Sequence, residues 1–438
     1  MDLLEESVKR AVERGADYAE AFLQRKRRVY VKEERGVVKR AVSTEYLGVG
    51  LRVIVGKRMG FAHSLNPRSV EDLVSMALDV AKSSPPDEDL KGLPSPKDVS
   101  YIKVMDPRIR DLSVDEAVEL ALAASEAAKK FNMIYSTSSE FEAYYEEVSV
   151  LNSEGIEVSE PRTSYELSVR VSAKEGDSSG AGLDFSASRF LSDLRPEELG
   201  ERAAKIAMSS MSYELIGVEE LPIVLSPKAQ VIMVPFLVSS AANSENIQYR
   251  RSFLSDKVGE KIADERISVV DYGRSYPNGL SKSFDGEGLP TQDLKVVDRG
   301  VFRTPIYNHY TAGKEGKEST GNASRESYDE LPGVGAHVVR IEGPELEMGD
   351  EEVMDVKRGV YVYTTFDRPN LATGEFSGLA ETAFLIENGE LKSSLRQTNI
   401  AFHLLDLLKP EAIGKTLEVY GPFAGGSIRI RGKVAGPK

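Results

Sequence analysis

Before residue 215 the chain runs twice through one order of elements: helix, antiparallel strands, glycine-containing return, helix. In the first pass Leu3, Leu4, Val8, Ala11 and Val12 have helical spacing, residues 18–24, 29–32 and 47–55 read as strands, and Gly56-Lys57-Arg58-Met59-Gly60-Phe61 reads as a hairpin return into an amphipathic helix over 69–83. In the second pass Ser113 with Glu116 has the spacing of a capping box, opening a helix to about Lys130. Strands follow near 139–151 and 165–173, then a return containing Gly176, Gly180 and Gly182 and a helix over 196–210. A linker rich in proline and charge, residues 83–96, lies between the passes. The pattern predicts an N-terminal domain of duplicated α/β units with antiparallel strands, residues 1–215, with repeats of about 1–85 and 110–215.

From about residue 220 the pattern changes to short strands and turns. Residues 222–225 read as a strand, and Ser226-Pro227-Lys228 as a helix start with Ser at the cap and Pro at the first turn. The helix, to about Asn243, is apolar enough to be buried, and Pro235 should kink or break it because proline lacks the amide hydrogen. Hairpins are expected at Val297-Asp298-Arg299-Gly300-Val301 and at Ile386-Glu387-Asn388-Gly389-Glu390, the latter with an Asn-Gly turn suited to type I′. A short helix is expected over 399–409 and a last strand over 427–434. The fold class is therefore α+β, with a β-rich C-terminal domain, residues 220–438, built around a central buried helix.

Composition narrows the chemistry. The 438 residues are 41% hydrophobic and 29% charged, enough to bury a core. No cysteine is present, so thiolate catalysis and disulfides are excluded, and the four histidines (His63, His309, His337, His403) share no metal-ligand spacing. A net charge of −14 argues against a nucleic-acid partner. The basic run Arg25-Lys26-Arg27-Arg28 reads either as a patch for an anionic ligand or, more plainly, as a solvated strand end flanked by Glu20, Glu33 and Glu34. The acidic start has no signal-peptide character, and the longest apolar run, residues 231–238, is far too short to span a bilayer. A cytoplasmic protein without membrane contact is expected.

Candidate site residues are few. Asp285 and Glu287 would share a face in a strand, where paired carboxylates could do acid/base work; the plainer reading is a turn in which Asp285 binds backbone amides beside Gly286 and Gly288. Thr320-Gly321-Asn322 reads as a loop, and Thr373-Gly374-Glu375 as a turn, the alternative being a groove lining. Gly425-Gly426 fits neither a dinucleotide fingerprint nor a P-loop.

Three segments carry a resemblance. Thr320-Gly321-Asn322-Ala323-Ser324-Arg325-Glu326-Ser327-Tyr328, Phe284-Asp285-Gly286-Glu287-Gly288-Leu289-Pro290-Thr291, and Thr373-Gly374-Glu375-Phe376-Ser377 leading into Phe384-Leu385-Ile386-Glu387-Asn388-Gly389 resemble the TldD/PmbA family, with weaker similarity through Val258-Gly259-Glu260. The resemblance implies Asp285, Glu287, Asn322, Arg325 and Glu375 as peptide-groove or structural positions. In that family TldD-type subunits carry His-Glu-x-x-x-His on the first helix of the C-terminal domain and a later cysteine, PmbA-type (TldE) subunits lack them, and the two form a heterodimeric zinc protease acting on peptides and unfolded polypeptides. Aligned through Val258-Gly259-Glu260, the motif positions fall on Pro235, Phe236 and Ser240, and the cysteine position near Tyr420, none of them a zinc ligand. The resemblance thus implies a non-catalytic TldE-type subunit with no cofactor of its own, zinc lying in a TldD-like partner. A homodimer is possible for the chain alone. The alternatives are a metal-independent hydrolase using Asp285 and Glu287, and a regulatory binding protein of the gyrase-modulator type.

Overall fold

The structure, a computed structural model, describes residues 2–65, 67 and 69–436. The chain is α+β. Its first part forms one six-stranded antiparallel sheet ordered β3-β2-β1-β4-β5-β6. The strands are β1 (Tyr18–Glu34), β2 (Val37–Val55), β3 (Arg58–Leu65), β4 (Ile134–Asn152), β5 (Glu157–Glu175) and β6 (Ser178–Ser188). The order is symmetric about β1 and β4, which pair antiparallel from Glu20↔Asn152 to Glu34↔Ser138. Helices α1 (Asp2–Glu13) and α2 (Val70–Ser83) bury Leu4, Val8, Leu73 and Ala77 against one half of the sheet. Helices α3 (Val114–Lys129) and α4 (Pro196–Ser209) bury Ala121, Ala124, Leu199 and Ala203 against the other. Ser69 caps α2, and the Ser113–Glu116 capping box opens α3.

Several elements differ from the expectations. Residues 18–24 and 29–32 belong to one strand, because the polar stretch between them still pairs with β2 and β4, as in Arg25↔Leu47 and Arg28↔Tyr144. The basic run is accordingly mid-strand: Arg28 pairs with Glu142 at 2.7 Å, and Arg27 donates to the carbonyls of Ile109 and Leu112. Two of its three acidic flanks are not solvated: Glu20 and Glu33 are fully buried, while Glu34 stays partly exposed. Gly180 and Gly182 lie inside β6, the return being at Gly176. They are glycine because α4 runs close by: a Cβ on Gly182 would sit 2.1 Å from the Ala203 carbonyl oxygen, and one on Gly180 2.1 Å from that of Ala207. Gly60 of β3 meets the Ala77 carbonyl of α2 in the same way, at 2.0 Å. Gly182→Ala is therefore expected to destabilise the protein by about 1–3 kcal/mol through overpacking; an unchanged urea midpoint would contradict the close helix–strand packing.

The C-terminal part holds a ten-stranded and a six-stranded sheet, and a two-stranded one in which Ala323–Ser324 pairs with Gly333–Val334. At the centre of the largest, β7 being the short Tyr213–Glu214 strand, β8 (Glu219–Leu225) pairs parallel with Arg358–Thr364 and antiparallel with Ile428–Ala435. The six-stranded sheet here includes Ser268–Tyr272, Val339–Glu342 and Phe423–Gly425. These two sheets share one hydrophobic cluster with the apolar helix, through Leu225, Val362, Val269, Val339, Met233, Leu237 and Val238. That helix is broken as expected: α5 (Pro227–Gln230) stops, α6 (Met233–Phe236) follows, and a π turn closes Leu237–Ala241. The break falls at Val231 and Ile232, where a continuous helix would need the amide hydrogen that Pro235 lacks to reach the Val231 carbonyl. Asn388 (φ 52°) and Gly389 (φ 80°) form the expected left-handed turn. Residues 399–409 are not a helix. Asn399–His403 is a strand between Glu375–Leu379 and Ile428–Ala435, and only Leu404–Leu408 coils, as a 3-10 turn. Ile400 and Phe402 alternate inward there, so sheet pairing overrides a short apolar run that suits either structure. His403 caps that 3-10 turn, and His337 lies in a bend before Val339–Glu342. No helix among the described residues is long and apolar enough to cross a membrane.

Candidate functional site

The side of the N-terminal sheet not covered by helices faces two loops of the C-terminal part. Phe22, Val148, Val150, Ile156, Phe284 and Leu289 form the apolar contact of this seam. The first loop, residues 284–290, turns back on itself through the Asp285 amide, which donates to the Leu289 carbonyl at 2.8 Å. Asp285 Oδ1 accepts the amides of Glu287 (2.9 Å) and Leu289 (3.0 Å), and Oδ2 that of Ala323 in the second loop (3.0 Å). This is the turn reading of the acidic pair. Burial, and then the neighbouring Glu287, push the Asp285 carboxyl up to about 7 against those three amides.

Glu287 points the other way, into a buried group of four charges. Its Oε1 lies 3.1 Å from Arg52 Nη2 on β2, and its Oε2 accepts the His309 amide at 2.8 Å. Arg52 Nη2 also donates to Glu20 Oε2 on β1 at 2.8 Å, and Arg325 of the second loop pairs with Glu20 Oε1. The Arg325 guanidinium lies 4.9 Å from the centre of the Phe22 ring. Burial pushes the Glu20 carboxyl up, but Arg325 and Arg52 outweigh it and hold it below its ordinary value. Two cations and two anions balance, each side chain at most 7% exposed. The group ties two strands of one sheet to both loops.

Asn322 has a different task. Its Nδ2 donates to Asp271 Oδ2 (2.6 Å) and to the Gly335 carbonyl (3.0 Å). Asp271 also meets His337 Nδ1 at 3.0 Å, which makes Nδ1 the protonated nitrogen, and His337 Nε2 is buried with no partner among the described residues. Gly321 before it has φ +76°, and a Cβ there would lie 2.4 Å from the Pro290 carbonyl. Glu375 is not brought to the seam. It begins the strand opposite His403, after a turn in which Asn370 Oδ1 accepts the amides of Ala372 and Thr373.

A second polar cluster was not anticipated. Lys228, two residues into the turn that Ser226 caps, is 4% exposed and pairs with the fully buried Asp184 of β6. Tyr363 Oη donates to Asp184 Oδ1 at 2.8 Å, and Arg202 Nε to Oδ2 at 2.8 Å. The rings of Phe185, Tyr363 and Tyr420 surround the ammonium at 5.2, 5.5 and 5.4 Å. Burial draws the Lys228 ammonium below its ordinary value, with Asp184 opposing. The only sequence signal was a lysine at the start of an otherwise apolar helix. Beside this cluster, a cavity of about 450 Å³ opens between Ala181, Gly182 and Leu183 on one side and Thr364, Phe366, Glu381 and Thr382 on the other.

Of the four positions that the resemblance sets against the zinc motif, Pro235 is buried, Phe236 and Ser240 are partly buried, and Tyr420 packs on Phe185 and donates to Glu418. A pyrrolidine ring, a phenyl ring, an aliphatic hydroxyl and a phenol do not make a zinc donor set. Among the described residues no three histidine, aspartate or glutamate side chains converge as metal ligands.

A symmetric six-stranded sheet, clamped by buried ion pairs to a β-rich part built around a broken helix, is an architecture with known relatives. The chain belongs to the PmbA/TldD family: residues 19–81, 107–211 and 218–436 match domain 1, the central domain and the C-terminal domain of the PmbA/TldA metallopeptidases. It is 29% identical over 395 residues to the metalloprotease PmbA homolog of Haemophilus influenzae, covering 87% of this chain and 84% of that one. It is 26% identical over 450 residues to metalloprotease PmbA of Escherichia coli O157:H7, covering 99% and 96%. The crystal structure of TldE from Thermococcus kodakarensis superimposes with a TM-score of 0.89 at 25% identity, over 99% of this chain and 100% of that one. A Thermotoga maritima protein named for modulation of a DNA gyrase superimposes with a TM-score of 0.90 at 23% identity, over 99% of both chains.

Proposed function

We propose that this chain is a TldE-type subunit that holds no metal and pairs with a TldD-like zinc peptidase to process peptides or unfolded polypeptides in the cytoplasm. The observation that carries the reading is the residue set Pro235, Phe236, Ser240 and Tyr420, which keeps the fold around the motif positions and offers no zinc ligand. The likeness to TldE supports it. Hydrolysis then belongs to the partner's metal, and this chain supplies the paired surface and part of the wall of the processing chamber. An obligate interface of this kind buries on the order of 2,000 Å² or more. A stand-alone hydrolase built on Asp285 and Glu287 is disfavoured, because both side chains are 1% exposed and their oxygens are taken by backbone amides and Arg52. Purified alone, the chain should contain far less than one zinc per molecule by elemental analysis and should cleave no peptide; mixed with a His-Glu-x-x-x-His partner it should form a stable, chelator-sensitive peptidase. One tightly bound metal per isolated chain would overturn the reading.

A further inference from the structure

The last strand of the N-terminal sheet, β6, has one backbone edge that faces away from the ladder. Such an edge invites another strand unless something covers it. Side chains cover this one on either side of a single residue. Ser210, at the end of α4, accepts the Ala181 amide at 3.0 Å and donates to the Ala181 carbonyl at 2.9 Å. Asp184 Oδ1 accepts the Phe185 amide at 2.9 Å. Backbone direction alternates along an antiparallel strand, so Ala181, Leu183 and Phe185 all turn their peptide groups away from β5. Leu183 stands between the two covered positions, and no described residue bonds its amide or its carbonyl.

This gap opens into the cavity of about 450 Å³, a volume in the range of ligand pockets. The wall opposite Leu183 is made by Thr364, Phe366, Glu381 and Thr382. Thr364 is fully buried, and its Oγ1 has no partner among the described residues. Phe366 is 41% exposed and gives the wall an apolar surface. A second cavity of about 210 Å³ shares Ala181 and Glu381 with the first and reaches Arg396, so the space is elongated. The charged groups that line the first cavity, Arg170 on β5 and Glu381, are one of each sign. An elongated space with an open amide and carbonyl and no excess charge suits a polypeptide backbone better than a charged small molecule.

We propose that this chain itself grips an extended polypeptide segment, which adds to the free edge of β6 at Leu183 and lies in the cavity against Phe366 and Thr382. The proposal rests on the subunit reading for the source of that polypeptide. Fluorescence anisotropy of the isolated full chain with a dye-labelled, amidated Ser-Val-Thr-Val-Ser peptide tests it. The same peptide N-methylated at every residue lacks the backbone donors and should bind at least about tenfold more weakly. Leu183→Pro removes the edge amide hydrogen at a position where an edge strand accepts proline. Thr382→Trp fills the cavity from the opposite wall. Each variant should weaken binding at least about tenfold at an unchanged melting temperature. Four results would each overturn the proposal: equal binding of the methylated peptide, no binding of the unmodified one, its displacement by an equal concentration of acetyl-valine amide, or wild-type affinity in either variant when folded. Zinc content and partner-dependent cleavage are measured separately, so failure here leaves the subunit reading standing.

Discussion

Arg52→Met should lower the stability of the protein by about 3–5 kcal/mol, because it leaves two buried carboxylates short of a counter-charge. Glu287 would lose its one cationic partner, and Glu20 one of two. The methionine keeps most of the stem volume, so the loss reports charge and not a cavity. Glu20 is held below its ordinary value, so its contribution is complete above that value and fades as the pH falls through the lowered one. The gap between wild type and Arg52→Met should therefore narrow below about pH 4. Urea unfolding at pH 7 and at pH 3.5 measures both effects. Because the group joins the two parts of the chain, limited proteolysis should also cut the 284–290 and 320–326 loops faster in the variant. A loss under about 1 kcal/mol at pH 7 would show that the seam is held by its apolar contact alone.

Asp184→Asn should have a similar effect, about 3 kcal/mol or more, for the opposite reason. It strips the carboxylate from Lys228 and Arg202 and leaves an ammonium among the three rings of Phe185, Tyr363 and Tyr420. Cation–π attraction, about 2 kcal/mol at a desolvated site, offsets only part of that loss. Adding Lys228→Met removes the stranded charge, so the double variant should be more stable than Asp184→Asn alone. Thermal unfolding of the single and double variants decides it: a double variant no more stable than the single one would mean that Lys228 was never charged in the folded protein.

These two clusters mark the limit of what could be read along the chain. The basic run looked like the charged feature of the N-terminal part, yet its arginines make ordinary contacts on the strand surface and on nearby carbonyls. The group that matters lies two strands wide and includes Glu20, which in sequence is one acid among many. Asp285 was legible as a turn former because its partners at Glu287 and Leu289 are two and four residues away. Its third partner, Ala323, is not local, and neither is Arg52 for Glu287. The strand at Asn399–His403 was missed for the same reason: its period-two burial exists only once Glu375–Leu379 and Ile428–Ala435 lie on either side.

By itself the sequence determined what depends on neighbours a few residues away. That includes the helix caps at Ser69, Ser113 and Ser226, the break before Pro235, the Asn388-Gly389 turn and the repeated order of helix and strand. It also excluded thiolate chemistry and disulfides, since the chain has no cysteine. Only the tertiary structure decided where charge is buried, because desolvation and ion pairing depend on separation in space, and Glu20 and Arg325 are 305 residues apart along the chain.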